Sequence, residues 1–511
     1  MRRKTVAALA ASALATPLLL AASATPAAAK PDPAKKGEQL ARKLVKRTDA
    51  DGAMRHLRVF QAVADLSEDN RAAGSRGHQL SAWYAGTLLK AAGYDVTYQK
   101  FDFTYVETLE EKLTVLTPEQ REVPIALMTY TASTPEGGIE APIAVAPTDD
   151  SPGCEASDFA DGDYTGKIAL IKRGACTFAA KQANAADAGA VGAIIYNNGE
   201  GELNGTLGDP EAGRVPTGGI TREAGEKLAA EAAEGEVTVN LEIRELQEER
   251  TTSNVLAETR GGDPDNVVML GAHLDSVSEG PGINDNASGS AGLLETALQL
   301  ARTDRRGHHQ NKVRFALWSA EELGLIGSEH YVAELPEAER EDIALYLNFD
   351  MIASPNYGLF VYDGDDSDGI GAGPGPEGSA QIEHGINSFL RDQGHEPRGT
   401  DFTGRSDYGP FIEVGIPSGG TFTGAEGLKS VEEAALWGGE AGVAYDKCYH
   451  VACDDLGNVN REALDINVDV IADAVGRYAW DTGSLAQEVP ATPTESTAGS
   501  GGGLHDHHAD R

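Results

Sequence analysis

Between residues 251 and 485 strand-length apolar runs alternate with helical stretches, and that rhythm leaves the chain few folds to choose from. The runs are 267–270, 313–318 and 343–349; the stretches between them, 287–301 and 324–333, carry helical spacing. A strand that is apolar on both faces must be covered on both, and helices placed between successive strands supply that cover. The pattern therefore predicts an α/β fold with a mostly parallel central sheet flanked by helices. Upstream, Leu57, Phe60 and Val63, then Leu80, Trp83, Tyr84, Leu88 and Leu89, recur at helical spacing. Gly93 ends that stretch and residues 96–103 alternate like a strand.

Residues 104–250 keep a different rhythm. Strand 168–172, an Ala-rich helix over 178–190 and strand 191–196 describe a second, smaller α/β unit. Its place between the two parts of the larger domain, 51–103 and 251–485, marks it as an insertion in a surface loop, where insertions are best tolerated. Residues 1–29 carry Arg2, Arg3 and Lys4, an Ala/Leu-rich run to Ala24 and small residues at Ala27, Ala28 and Ala29, the pattern of a secretory signal peptide. The run is broken by Pro17 and falls short of the ~20 apolar residues a membrane span needs. The expectation is a secreted protein. Residues 30–50 are rich in Lys and Arg and read as a pro-segment, and 486–511, rich in Pro, Thr, Ser and Gly, as a disordered tail.

The formal net charge is −38, and residues 1–48 are themselves basic, so the body of the chain is more acidic still. Such a body is repelled by phosphate backbones and anionic lipid, which argues against nucleic-acid or membrane-surface roles. The four cysteines, Cys154, Cys176, Cys448 and Cys453, allow three disulfide pairings. The sequence-near one, Cys154–Cys176 with Cys448–Cys453, is expected, and an oxidising compartment argues against reading Cys448 as a free thiolate on zinc.

Five short stretches carry the chemistry: His273-Leu274-Asp275 after one apolar run, Asn284-Asp285-Asn286 before a helix, Glu321-Glu322 and Asp350 after two further runs, and Cys448-Tyr449-His450. Alone, each has an ordinary reading as a capped turn, a solvated pair or a helix N-cap. Together, three lie at carboxyl ends of predicted parallel strands, where open α/β sheets build their sites. Two imidazoles with several carboxylates and no thiolate make a ligand set for two catalytic zinc ions, one carboxylate bridging. Two ions held about 3.5–4 Å apart activate a shared water, and the spare glutamate is placed to act as its general base.

The stretches GAHLDSVSEGPGINDNASGSAGLLETAL, FALWSAEELGLIGS, YLNFDM, GRSDYGPF and CYHVACD resemble the M28 zinc aminopeptidases, above all the secreted leucine-preferring enzymes of Streptomyces. The likeness runs over 51–103 and 251–485. It implies His273 and Asp350 on one zinc, Glu322 and His450 on the other, and Asp285 bridging. It also implies Glu321 as general base, Tyr449 as a hydroxyl steadying the oxyanion and Asp275 orienting His273. The substrate ammonium would be held by Glu321, Asp350 and the backbone near Arg405, with Phe422 walling an apolar pocket. Calcium in the family maps to Asp465 and Asp469, although the matching N-terminal stretch departs here near Thr48. The inserted block resembles the protease-associated (PA) domain, with Cys154 and Cys176 as its disulfide. The expected partners are peptides with a free N-terminus, and the expected state is a monomer.

Other signals are weaker. The glycines at 373, 375 and 378 satisfy G-x-G-x-x-G, but two prolines and no following helix make that stretch a loop. No G-x-S-x-G or H-E-x-x-H is present. His505, His507 and His508 stand in the tail. A carboxypeptidase or aminoacylase on the same scaffold would need a cationic clamp for a carboxylate, and a non-catalytic receptor would have lost ligands that this chain keeps.

Overall fold

The computed structural model describes residues 32–489, apart from 370 and 372. The stretch read as a signal peptide and the tail from 490 onward lie outside the described residues.

Four parallel strands form the centre of the larger domain, in the spatial order Ser418–Phe422, Ile343–Asp350, Asp263–His273, Asn311–Trp318. From Asp263–His273 the chain crosses to one neighbour and then to the other, so the carboxyl end of that strand sits at a topological switch point. Alternate residues face opposite layers. Val268 and Leu270 pack with Phe315 and Leu345 beneath helices Ala50–Asp65, Ala287–Thr303 and Arg461–Tyr478. Val267 and Met269 pack with Trp318, Tyr346 and Phe411 on the other side. The two upstream helical stretches are Ala50–Asp65 and Arg76–Ala92, the second closed by Gly93 at φ 106°.

Helix Pro33–Val45 occupies most of the segment read as a pro-segment. It buries Leu40, Ala41 and Leu44 against the larger domain and turns Lys and Arg outward. Its closest neighbour is Arg461–Tyr478, where Gly37 and Gly476 let the two backbones meet: a Cβ at Gly37 would stand 2.8 Å from the Arg477 carbonyl oxygen, and one at Gly476 would stand 2.2 Å from the Ala41 Cα.

The insert is joined by a ribbon rather than by loops. Strand Asp95–Thr117 pairs antiparallel with Thr238–Glu258 from Asp95↔Glu258 to Thr117↔Thr238, with irregularities at Thr108/Glu110 and Val115/Thr117. The expected strand 96–103 therefore continues well past the domain boundary placed at 103. The same ribbon pairs with Asn311–Trp318 at one end and Ile139–Val145 at the other, so one hydrogen-bonded sheet runs through both domains. In the insert, Ile168–Lys172 and Gly192–Tyr196 lie parallel, with buried apolar side chains on both faces. Among the described residues, no helix is long and apolar enough to cross a membrane.

Candidate metal centre

His273 and Asp350 are the last residues of two neighbouring parallel strands, so both side chains emerge at the carboxyl edge of the sheet. Glu321 and Glu322 follow the third strand, Asn311–Trp318, through a turn in which Ala320 takes φ 60°. Asp285 stands just before helix Ala287–Thr303, whose N-cap Asn286 accepts from the Gly289 N–H at 3.0 Å. His450 arrives from the far end of the chain, in the loop closed by the Cys448–Cys453 disulfide.

Asp285 divides its two oxygens between the two histidines. Oδ1 is 3.1 Å from His273 Nε2, and Oδ2 is 3.2 Å from His450 Nε2. Asp350 Oδ1 lies 3.4 Å from His273 Nε2, and Glu322 Oε2 lies 3.0 Å from His450 Nε2. Two ligands about 2.0–2.1 Å from one tetrahedral ion are themselves about 3.3 Å apart. Each histidine with its carboxylates thus has the spacing of one ion's ligand set, and Asp285 belongs to both. Glu321 Oε2 stands farther off, 3.8 Å from His273 Nε2.

The electrostatics point the same way. Asp275, Asp285, Glu321, Asp407 and Asp454 are buried around this edge. Burial works to lower His450, yet the Glu322 and Asp285 carboxylates outweigh it and raise the group to about 11. His273 is likewise raised against burial, by Glu321 and Asp350. Burial pushes Glu322 up to about 7 with Asp285 adding to it, and raises Glu321 well above the usual carboxylate range. Asp285 is held below that range, because its hydrogen bonds to the two histidines overcome burial. So many buried acids need cations close by, and two divalent ions fit both the donor types and the field.

Residues 254–475 match the Peptidase family M28 profile, and residues 139–228 the PA domain profile. Leucine aminopeptidase 2 of Trichophyton tonsurans is 45% identical over 427 residues, 83% of this chain and 83% of the fungal protein. The chain belongs to peptidase family M28. Among solved structures, an aminopeptidase from Aneurinibacillus sp. strain AM-1 matches with a TM-score of 0.66 at 30% identity, over 85% of this chain and 95% of that one. A zinc aminopeptidase from Bacillus subtilis matches with a TM-score of 0.57 at 27% identity, over 84% and 94%. The protein is a zinc-dependent metallo-aminopeptidase, and its substrates are peptides.

Around this centre the peptidase arranges the other residues singled out from its sequence. The Tyr449 ring stacks on the His450 ring with centroids 3.8 Å apart, and burial raises its hydroxyl above the usual tyrosine range. Phe422 ends strand Ser418–Phe422 in register with Asp350, so the two side chains share a face of the sheet. Arg405 pairs with Glu426 at 3.2 Å near the surface. Asp275 lies against the His273 ring. Its carboxylate is 3.8 Å from His273 Nδ1, and the nearer acceptor is its own backbone oxygen at 3.2 Å. The Asp275 carboxylate also accepts from the Glu321 N–H at 3.4 Å. Asp465 accepts from the Ala50 N–H at 2.6 Å, and Asp469 from the Thr48 hydroxyl at 3.4 Å. Both expected disulfides, Cys154–Cys176 and Cys448–Cys453, are formed.

Three contributors were not singled out from sequence. Arg71 is fully buried and donates to the backbone oxygens of Leu274, Pro281 and Gly282, clamping the loop between His273 and Asp285. Asp454, next to Cys453, accepts from the N–H groups of Asn284 (2.8 Å) and Asp285 (2.9 Å). Ser406 donates to Asp350. Asp454 and Ser406 lie inside the stretches CYHVACD and GRSDYGPF and were within reach there; Arg71 belongs to no such stretch.

Proposed function

We propose that the protein is a secreted, monomeric aminopeptidase with two zinc ions, releasing large apolar, leucine-like residues from peptide N-termini. The observation that carries this reading is the division of Asp285 between His273 and His450, which pairs each histidine with one further carboxylate. His273 and Asp350 would hold one ion, Glu322 and His450 the other, and Asp285 both. When bound, the pair supplies Lewis acidity toward the attacking water and the scissile carbonyl. Glu321, buried and outside the two ligand sets, takes the proton of that water and returns it to the leaving amine. Glu321 and Asp350 also neutralise the substrate ammonium beside Arg405, and Phe422 faces the apolar side chain. The Tyr449 hydroxyl donates to the developing oxyanion.

Secretion is supported by the two disulfides. Calcium is proposed at Asp465 and Asp469; supporting it, burial pushes Asp469 up to about 7, with Asp465 and Asp49 both acting in the same direction.

Zinc-loaded protein assayed on leucyl and N-acetyl-leucyl peptide amides tests the reading. Cleavage of the free amine alone, lost with a chelator and restored by zinc, is expected. Comparable cleavage of both peptides would overturn it, since buried carboxylates have nothing to neutralise on an acetylated end.

A further inference from the structure

A cavity of about 150 Å³ lies in the crease between the PA insert and the peptidase domain. Tyr105, Glu107 and Glu245 line it from the insert's long strands, and Asp275, Glu279 and Glu322 from the loops at the sheet edge. The crease is built rather than incidental. Ser276 accepts from the Arg71 N–H at 2.9 Å, and the Ser278 carbonyl from the Asn70 amide at 3.3 Å. On the opposite wall the Tyr105 hydroxyl donates to Glu107 at 3.2 Å. The ribbon carrying that wall is paired from Asp95↔Glu258 to Thr117↔Thr238, with one of its irregularities, Thr108/Glu110, beside Glu245.

The cavity reaches the candidate centre from one side only. It touches Glu322 and Asp275 but not Asp350, Arg405 or Phe422. On the site assignment above, with the ammonium between Glu321 and Asp350, Glu322 is the ligand through which the crease adjoins the centre. Its charge is one-sided as well. Among the described residues none of Glu107, Glu245 and Glu279 has an ion-pair partner. Arg250 is committed to Glu248 and to the face of Tyr105, 3.3 Å from the ring centroid, and the buried Arg71 to the carbonyls of Leu274, Pro281 and Gly282. Glu245 is buried and oriented by the Tyr130 N–H at 3.0 Å and the Gln247 amide at 2.7 Å. Two buried oxygens of the lining, Asp275 Oδ2 and Glu322 Oε1, accept no hydrogen bond.

We propose that this crease is the subsite for the second residue of the peptide, and that Glu107, Glu245 and Glu279 favour a lysine or arginine side chain there. The proposal rests on the site assignment given above, and its test separates the two. The full-length, zinc-loaded enzyme is assayed on leucyl-lysyl-glycinamide and leucyl-norleucyl-glycinamide, which differ at the second residue essentially by the charge, with leucine p-nitroanilide as a substrate lacking that side chain. The partly exposed Glu107 and Glu279 each shift kcat/KM by about two- to threefold through a carboxylate–cation contact, so the lysyl peptide is preferred by about four- to ninefold. In Glu107→Gln and Glu279→Gln that ratio falls by about two- to threefold each, and the double variant falls further. These two sites are chosen because their side chains are less buried than Glu245, whose replacement risks the fold. An active wild type that cleaves both peptides equally, or variants that keep the full ratio, would overturn the crease alone. Failure on all three substrates would overturn the site assignment beneath it.

Discussion

Ser406 Oγ donates to Asp350 Oδ2 over 2.5 Å, and this contact ends a hydrogen-bond chain whose direction is fixed at its far end. Trp318 Nε1 donates to the Tyr346 hydroxyl at 2.8 Å, and an indole N–H can only donate. The Tyr346 proton therefore goes to Asn348 Oδ1 at 3.0 Å, and the Asn348 amide N–H to Ser406 Oγ at 2.8 Å. Ser406 is left to donate to Asp350. One carboxylate oxygen is thereby occupied while the other, Oδ1, faces His273.

Removing that donor should loosen the metal site before it affects the fold. Ser406→Ala is expected to weaken the affinity for one zinc by about 10- to 100-fold, the usual cost of deleting a group that orients a ligand. Ser406→Thr, which keeps the hydroxyl, should stay near wild type. Chelator competition with metal analysis reads this directly, and wild-type zinc retention in Ser406→Ala would show that the chain does not steer Asp350.

The Cys448–Cys453 bond closes a short loop around His450 and Tyr449. Closing so small a loop restricts the unfolded chain by about 2 kcal/mol. Cys448→Ser with Cys453→Ser should lower the melting temperature and let His450 leave its carboxylate partners more readily, so chelator inactivation should become faster. Unchanged inactivation kinetics in the double variant would mean that Asp446 and Asp454 hold the loop unaided: Asp446 accepts from the Cys448 N–H at 2.7 Å, and Asp454 from the N–H groups of Asn284 and Asp285.

Much of this was legible in the sequence because buried parallel strands announce themselves as apolar runs, and parallel strands share one functional edge. His273, Asp350 and the Glu321–Glu322 pair follow from that logic. Arg71 does not: its role is to donate to carbonyls more than 200 positions away, and backbone acceptors leave no mark on side-chain pattern. The ribbon past residue 103 was hidden for another reason. Its two-stranded arm is partly exposed, so its side chains are polar and the alternation fades. Helix Pro33–Val45 was masked by composition, since its Lys and Arg dominate the count while Leu40 and Leu44, one turn apart, carry the packing.

That helix makes a stability prediction. Leu44 is fully buried against the larger domain, and Leu→Ala at such a site costs about 2–5 kcal/mol. Leu44→Ala should shift the urea midpoint downward by a matching amount, whereas Lys43→Ala, on the exposed face, should shift it little. Equal and small effects from the two changes would mean that the segment is dispensable to the folded enzyme, as a removable pro-segment would be.

The division of labour proposed for two adjacent glutamates gives the sharpest test. Glu322 Oε2 lies 3.0 Å from His450 Nε2, within one ion's ligand spacing, while Glu321 Oε2 stands 3.8 Å from His273 Nε2 and outside it. Glu321→Gln should therefore keep near-full zinc content and still bind substrate, with kcat lower by about 10²–10⁴-fold, the usual contribution of a positioned base. Glu322→Gln should lose affinity for one zinc, because a neutral amide is a poor ligand for a divalent ion. Metal analysis beside steady-state kinetics on both variants reads the two roles independently. Zinc loss in Glu321→Gln with both ions and most activity retained in Glu322→Gln would reverse the assignment. Full activity in both would move the centre away from this edge of the sheet.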